Sequence, residues 1–144
     1  MNRKTLIWAA LTAATAMLTG LSYFLISSGL GMETLPLQSA WEVHRQIVLP
    51  LGALALGAWI LSLSLKNPQN PLAKAIYNQR LKPGFDRAEQ AVFSIFVVRM
   101  ALLEAMAVLA FVLSFQTKSH LGLPLSILAL LTTLSLRPRT AETR

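Results

Sequence analysis

Four long apolar stretches, separated by short polar segments, organise this chain. They cover residues 5–27, 46–65, 91–115 and 121–136, the last becoming 119–136 when Ser119 and His120 join it. A helix needs roughly 17–25 mostly apolar residues to cross a bilayer. The first three stretches qualify, and the fourth is adequate only in its extended form. The pattern predicts an all-α polytopic membrane protein: one domain, residues 1–144, built as a bundle of four transmembrane helices. The first stretch also invites a signal-peptide reading, with Met1-Asn2-Arg3-Lys4 as the basic region and Ala14-Thr15-Ala16 as the cleavage motif. Its apolar run continues to Ile26, beyond the roughly 7–15 residues of a signal core, so it is read as a retained helix.

The polar segments carry helix punctuation. Ser39 with Glu42, and Asp86 with Glu89, fit capping boxes, which predicts a second helix from near Ala40 that bends at Pro50 and a third from near Arg87. Asn70-Pro71 reads as a cap with proline at the first helical position, and Pro83-Gly84 closes that short segment. Its Leu72, Ile76, Lys74, Arg80 and Lys82 suit either a helix on an anionic membrane surface or a solvated basic loop.

Composition strengthens the membrane reading. Of 144 residues, 54% are hydrophobic and 13% charged, about half the charge of an ordinary soluble domain, which is near 25%. The absence of cysteine removes disulfides, thiolate metal sites and cysteine nucleophiles. A net charge of +7 is explained by topology rather than by nucleic acid. Arg3 and Lys4 precede the first span; Lys66, Lys74, Arg80, Lys82 and Arg87 lie between spans two and three; Arg137, Arg139 and Arg144 follow the fourth. Only Arg45 and Lys118 occupy the other two connections. The positive-inside rule then places both termini and the loop 66–90 in the cytoplasm. Trp8 and Trp59 fall toward that boundary, Tyr23 and Trp41 toward the outer one.

In lipid, small residues that let backbones approach mark helix contacts. Ala9, Ala13, Ala16 and Gly20 recur at helical spacing on the first span, beside a polar stripe of Thr12, Thr15, Thr19 and Ser22; the second span offers Ala53 and Gly57. They are expected to pack the bundle internally or to form a seam between copies.

Glu104 is the most informative residue. It lies about 20 Å along the third helix from Ala91, close to the bilayer midplane. An acid at that depth normally faces protein or water. Arg99 is about 7.5 Å nearer the cytoplasm and about 140° around the helix, so no intrahelical salt bridge is predicted. The candidate neighbours at matching depth are Thr15 and Ala16 on the first helix and Gly57 on the second. Two readings stand: a polar clasp of Glu104, Arg99 and these groups that fixes helix register, or an ion- or proton-binding carboxylate.

The hairpin from Gln46 to Phe115 resembles the proteolipid (c) subunit of rotary ATP synthases. The resemblance rests on the small-residue run Leu51 to Ala58, on Lys66-Asn67-Pro68 as the start of a basic-polar loop, and on Ala101 to Leu113 around the acid. It implies an ion-binding role for Glu104. The chain departs from that family in lacking its dense glycine repeat, in its longer loop, in Arg99 and in two flanking helices. It also resembles small, uncharacterised four-helix bacterial membrane proteins through Arg99-x-Ala-Leu-Leu-Glu104 and Arg137-Pro138, a likeness that implies no activity.

His44 and His120, with Glu33 or Glu42, have no ligand spacing that supports a metal site, and no nucleophile elbow, phosphate-binding glycine loop or paired carboxylate is present. The expectation is a protein without catalysis, metal or cofactor in a bacterial-type inner membrane, an accessory subunit or oligomeric scaffold. Its partners would be membrane lipids and either itself or other integral subunits. The alternative is proteolipid-like ion handling at Glu104.

Overall fold

The computed structural model describes residues 2–29, 36–67, 69–78 and 87–138, and every regular element in them is helical. In chain order these are α1 (Arg3–Ser28), α2 (Leu37–Ser64), α3 (Pro71–Tyr77), α4 (Arg87–Thr117) and α5 (Leu123–Ser135), the last entered through a 3₁₀ turn at His120–Gly122. α1, α2 and the Glu89–Thr117 part of α4 are long and apolar enough to cross a membrane, whereas the apolar stretch His120–Ser135 is shorter.

Local chemistry explains most of the boundaries. The Asn2 side chain accepts from the Lys4 N–H at the start of α1, and Gly29 closes that helix in the left-handed region, φ 60°. Asn70 caps α3 as its sequence predicts, accepting from the Leu72 N–H at 2.9 Å, and its amide also donates to Ser64 Oγ at 3.0 Å, tying α3 to the end of α2. α2 differs from expectation: it begins at Leu37, after Pro36, so Ser39 and Glu42 lie inside the helix rather than forming its cap. The helix runs through Pro50. Glu33, Pro68, Arg80, Lys82, Pro83, Gly84, Asp86, Arg139, Arg144 and the Arg87 side chain lie outside the described residues.

α4 ends in a Schellman turn. The Ser119 N–H reaches the Ser114 carbonyl at 3.2 Å and the Lys118 N–H the Phe115 carbonyl at 3.4 Å, with Lys118 in the left-handed conformation, φ 50°. Ser119 then accepts from the Leu121 N–H and starts the turn that leads into α5.

α4 is the centre of the molecule. It packs against α1, α2, α3 and α5, while α1 and α2 make no contact with each other among the described residues. α5 lies antiparallel to α1, as the pairs Trp8/Thr133, Thr19/Ser126 and Tyr23/His120 show. Two indole N–H groups fasten its end: Trp8 donates to the Thr133 carbonyl at 2.9 Å and Trp59 to Thr132 Oγ1 at 3.0 Å. α3 buries Ala73 and Ile76 on the side it presents to α4, and leaves Leu72 and Lys74 exposed.

The interior is inverted relative to a soluble domain. Seven of the fifteen buried hydrophobic residues described are alanine, and all eight buried polar residues are serine or threonine. Met17, Val43 and Leu54 meanwhile stand 67%, 69% and 61% exposed. Small residues and hydroxyls inside with bulky aliphatics outside is the arrangement that helix packing in hydrocarbon selects, since lipid solvates leucine as well as protein does.

Candidate functional site

The middle of α1, α4 and α5 holds a polar cluster built from residues three and four apart. On α1 the inward face is Trp8, Thr12, Thr15, Thr19, Ser22 and Ile26; Thr15, Ser22 and Ile26 are buried. This spacing keeps one face of a helix turned to its neighbours. On α5 the buried residues Ser126, Ala129 and Thr133 repeat the same way. α4 contributes Glu104.

Thr15 Oγ1 donates to Glu104 Oε2 at 2.7 Å and also lies 2.9 Å from the Leu11 carbonyl oxygen. Thr15 is at the middle of the 26-residue α1, so the contact is at mid-depth in the bundle. One turn further, Thr19 Oγ1 sits 2.8 Å from the Thr15 carbonyl oxygen and hydrogen-bonds with Ser126 Oγ. Glu104 itself is half-buried.

Arg99 faces a different helix. Its Nε donates to the Ser62 carbonyl at 2.8 Å, and Ser62 Oγ donates back to the Arg99 carbonyl at 3.3 Å. α4 is therefore pinned to α1 through its acid and to α2 through its base. The shared clasp expected of Glu104 and Arg99 is instead two separate clasps, because the five-residue spacing turns the side chains toward opposite neighbours.

The small-residue expectations also need correction. Ala9, Ala13, Ala16 and Gly20 on α1, and Ala53 and Gly57 on α2, are all exposed. A Cβ added to Gly20 or Gly57 would meet nothing within 4 Å. Gly57 and Ala16 thus lie on exposed faces, and these six are not the residues that fill the bundle interior. The adjoining threonine stripe does that instead. α4 exposes Ala101, Ala105 and Val108 on one face, opposite Ala110 and Ser114, which meet the turn before α5.

Several contact residues were not singled out by sequence: Ser62, Ser114, Ser126, Thr132 and Thr133. The signal was the helical spacing of Ser126, Ala129 and Thr133, which matches that of the α1 threonines. Gly122 was also missed. Its N–H donates to Ser114 Oγ at 3.1 Å, and its Cα presses so closely on α4 that a Cβ would fall 1.9 Å from the Ala110 carbonyl oxygen.

At the two ends of the bundle, the Arg137 guanidinium lies 5.8 Å from the centre of the Trp8 ring, and His120 stacks on Tyr23 with ring centres 5.6 Å apart. Lys66 and Lys74 are exposed. Among the described residues no three His, Asp or Glu side chains group as metal ligands. Compared with known protein families, curated proteins and solved structures, the chain matches none.

Proposed function

We propose that this chain is a non-catalytic, multi-pass protein of a bacterial-type inner membrane that serves as an accessory subunit or oligomeric scaffold. In this reading four helices cross the bilayer, and both termini and residues 66–90 are cytoplasmic. Lys66 and Lys74, with Arg80, Lys82 and Arg87, meet anionic headgroups or a partner there. The 3₁₀ turn and α5 together span about 25 Å by their rises, short of the roughly 30 Å hydrocarbon thickness, a mismatch that local thinning accommodates.

One observation carries the proposal: small residues that the bundle does not use for its own packing lie exposed on α1 (Ala9, Ala13, Ala16, Gly20), α2 (Ala53, Gly57) and α4 (Ala101, Ala105). Such faces admit close approach of another helix, from a second copy or another subunit. The test is the native mass and composition of a tagged protein extracted gently from its own membranes. A defined oligomer or a stoichiometric complex is expected. A lone monomer overturns the proposal.

A second reading, proton exchange at Glu104, is favoured by one detail. The Thr15 hydroxyl has a single proton and two acceptors in reach, Leu11 O and Glu104 Oε2. If the carboxyl carries its own proton, it donates to Thr15 Oγ1 while Thr15 donates to the Leu11 carbonyl, and both short contacts are hydrogen bonds. A hydrophobic carbodiimide should then label Glu104 in folded protein; failure to label removes this reading.

A further inference from the structure

Two buried side-chain polar atoms have no hydrogen-bond partner among the described residues: Thr12 Oγ1 and His120 Nδ1. Their positions bracket the cluster around Glu104. Thr12 is three residues before Thr15 on α1, about 4.5 Å along the axis toward the end of the bundle that carries Trp8, Thr132 and Thr133. His120 lies at the other end, on Tyr23, beyond the Thr19–Ser126 pair. A threonine in a helix ordinarily returns its proton to the carbonyl four residues back, as Thr117, Thr132 and Thr133 do here, and the Thr15 and Thr19 hydroxyls keep that carbonyl within 2.9 Å. Thr12 does not.

An unpaired buried hydroxyl or ring nitrogen is expensive in a low-dielectric interior. Buried groups of this kind take ordered water when the surroundings are polar enough to hold it. Here the surroundings are a column of hydroxyls and backbone carbonyls along one seam. The inward face of α1, with Thr12, Thr15, Thr19 and buried Ser22, runs along it from the Trp8–Thr133 contact past Glu104 and Ser126 to the Tyr23–His120 stack.

We propose that the α1/α4/α5 seam is a proton pathway, with Glu104 as its mid-membrane station and with water bound at Thr12 and at His120 linking that station to the two ends of the bundle. The proposal rests on the reading of Glu104 as a proton-exchanging carboxyl. A proton delivered by water on one side forms the neutral acid, and the acid releases it to water on the other. Only O–H bonds form and break, and no oxidant or reductant is needed. Thr15 holds the carboxyl in the column through its 2.7 Å contact. Arg99, committed to Ser62 on the far side of α4, stays out of the way.

The test is proton flux into vesicles containing the full-length protein, driven by a potassium diffusion potential and read by an enclosed pH-sensitive dye. Glu104 carbodiimide labelling is measured on the same preparations. Flux above that of protein-free vesicles is expected, lost in Glu104→Gln. It should fall about tenfold in Thr12→Val and in Ser126→Ala, the scale set by one hydrogen bond's worth of barrier. Thr12→Val preserves shape and removes no bond made in the fold, so its loss of flux is not a folding defect. His120→Phe keeps the stack on Tyr23 and should also reduce flux. Labelling of Glu104 without flux, or flux unchanged in Thr12→Val, overturns the pathway and leaves the exchange reading standing. Absence of both labelling and flux removes the two together.

Discussion

Adding one methyl group at Gly122 should destabilise the bundle, whereas the same change at Gly20, Gly52 or Gly57 should not. The Gly122 backbone is unstrained, φ −79° and ψ −16°, so any effect of alanine there is steric. Its Cβ would sit 1.9 Å from the Ala110 carbonyl oxygen and 2.6 Å from Ser114 Oγ, against ordinary contact from 3.4 Å outward. The first neighbour is helix backbone and cannot swing aside. The turn must therefore retreat by more than an ångström, and that movement breaks the 3.1 Å bond from the Gly122 N–H to Ser114 Oγ. Overpacking of this kind costs about 1–3 kcal/mol and the lost buried hydrogen bond about 1 more, together about 2–4 kcal/mol. At Gly20, Gly52 and Gly57 a Cβ meets nothing within 4 Å, and alanine's helix propensity favours the change by up to about 1 kcal/mol. The assay is thermal unfolding of the four variants in one mild detergent, followed by circular dichroism. If Gly122→Ala melts with the parent, or if Gly20→Ala or Gly57→Ala is equally damaging to the isolated chain, the packing described here is wrong. Should the exposed glycines lie in a seam with another helix, their alanine variants will instead keep the melting temperature and weaken recovery of the native assembly.

Other perturbations read other contacts. Thr15→Val keeps the shape of the side chain but strips Glu104 of its partner, at a cost of about 1–3 kcal/mol in the same melt, while Glu104→Gln retains the hydrogen bond and should melt near the parent. Lys118→Gly removes a side chain from a left-handed position and should stabilise by about 1 kcal/mol; no change or a loss would mean that α4 does not end in the Schellman turn. Trp8→Phe keeps an aromatic ring but deletes the indole N–H that reaches the Thr133 carbonyl and part of the face beneath Arg137, and should cost at least about 1 kcal/mol, with freer motion of a spin label at Ser135 as the local readout.

The helices and their approximate limits were legible because apolar length is a strong signal, and the Asn70-Pro71 cap because its chemistry is local. Which face of each helix turns inward was not. In water the buried face is the apolar one, but in lipid both faces are apolar and the choice falls among small and hydroxyl-bearing residues. α1 carries two such stripes side by side, alanine–glycine and threonine. The threonine face wins because α5 offers it Ser126 and α4 offers it Glu104, partners that alanines cannot use. Gly122 was illegible for another reason: its role exists only once the turn brings it against Ala110. The divergence of Arg99 and Glu104 was already implied by their spacing. What spacing could not supply was the identity of the acceptor that Arg99 finds, a backbone carbonyl on α2.

That divergence has an energetic consequence. Had the two charges on α4 been paired with each other, removing either would strand the other in the interior, and their contributions would be strongly coupled. Instead Glu104 binds a hydroxyl on α1 and Arg99 a carbonyl on α2, helices that do not touch each other. Each clasp then fastens one helix to α4 independently. A double-mutant cycle of Glu104→Ala and Arg99→Leu, measured by unfolding in detergent, should show a coupling energy within about 0.5 kcal/mol of zero, the limit for sites that share no partner. A coupling of about 1–3 kcal/mol, the range for residues in contact, would mean that the acid and base do meet. α1 and α2 would then be held to α4 by packing of their buried faces and not by these two polar contacts.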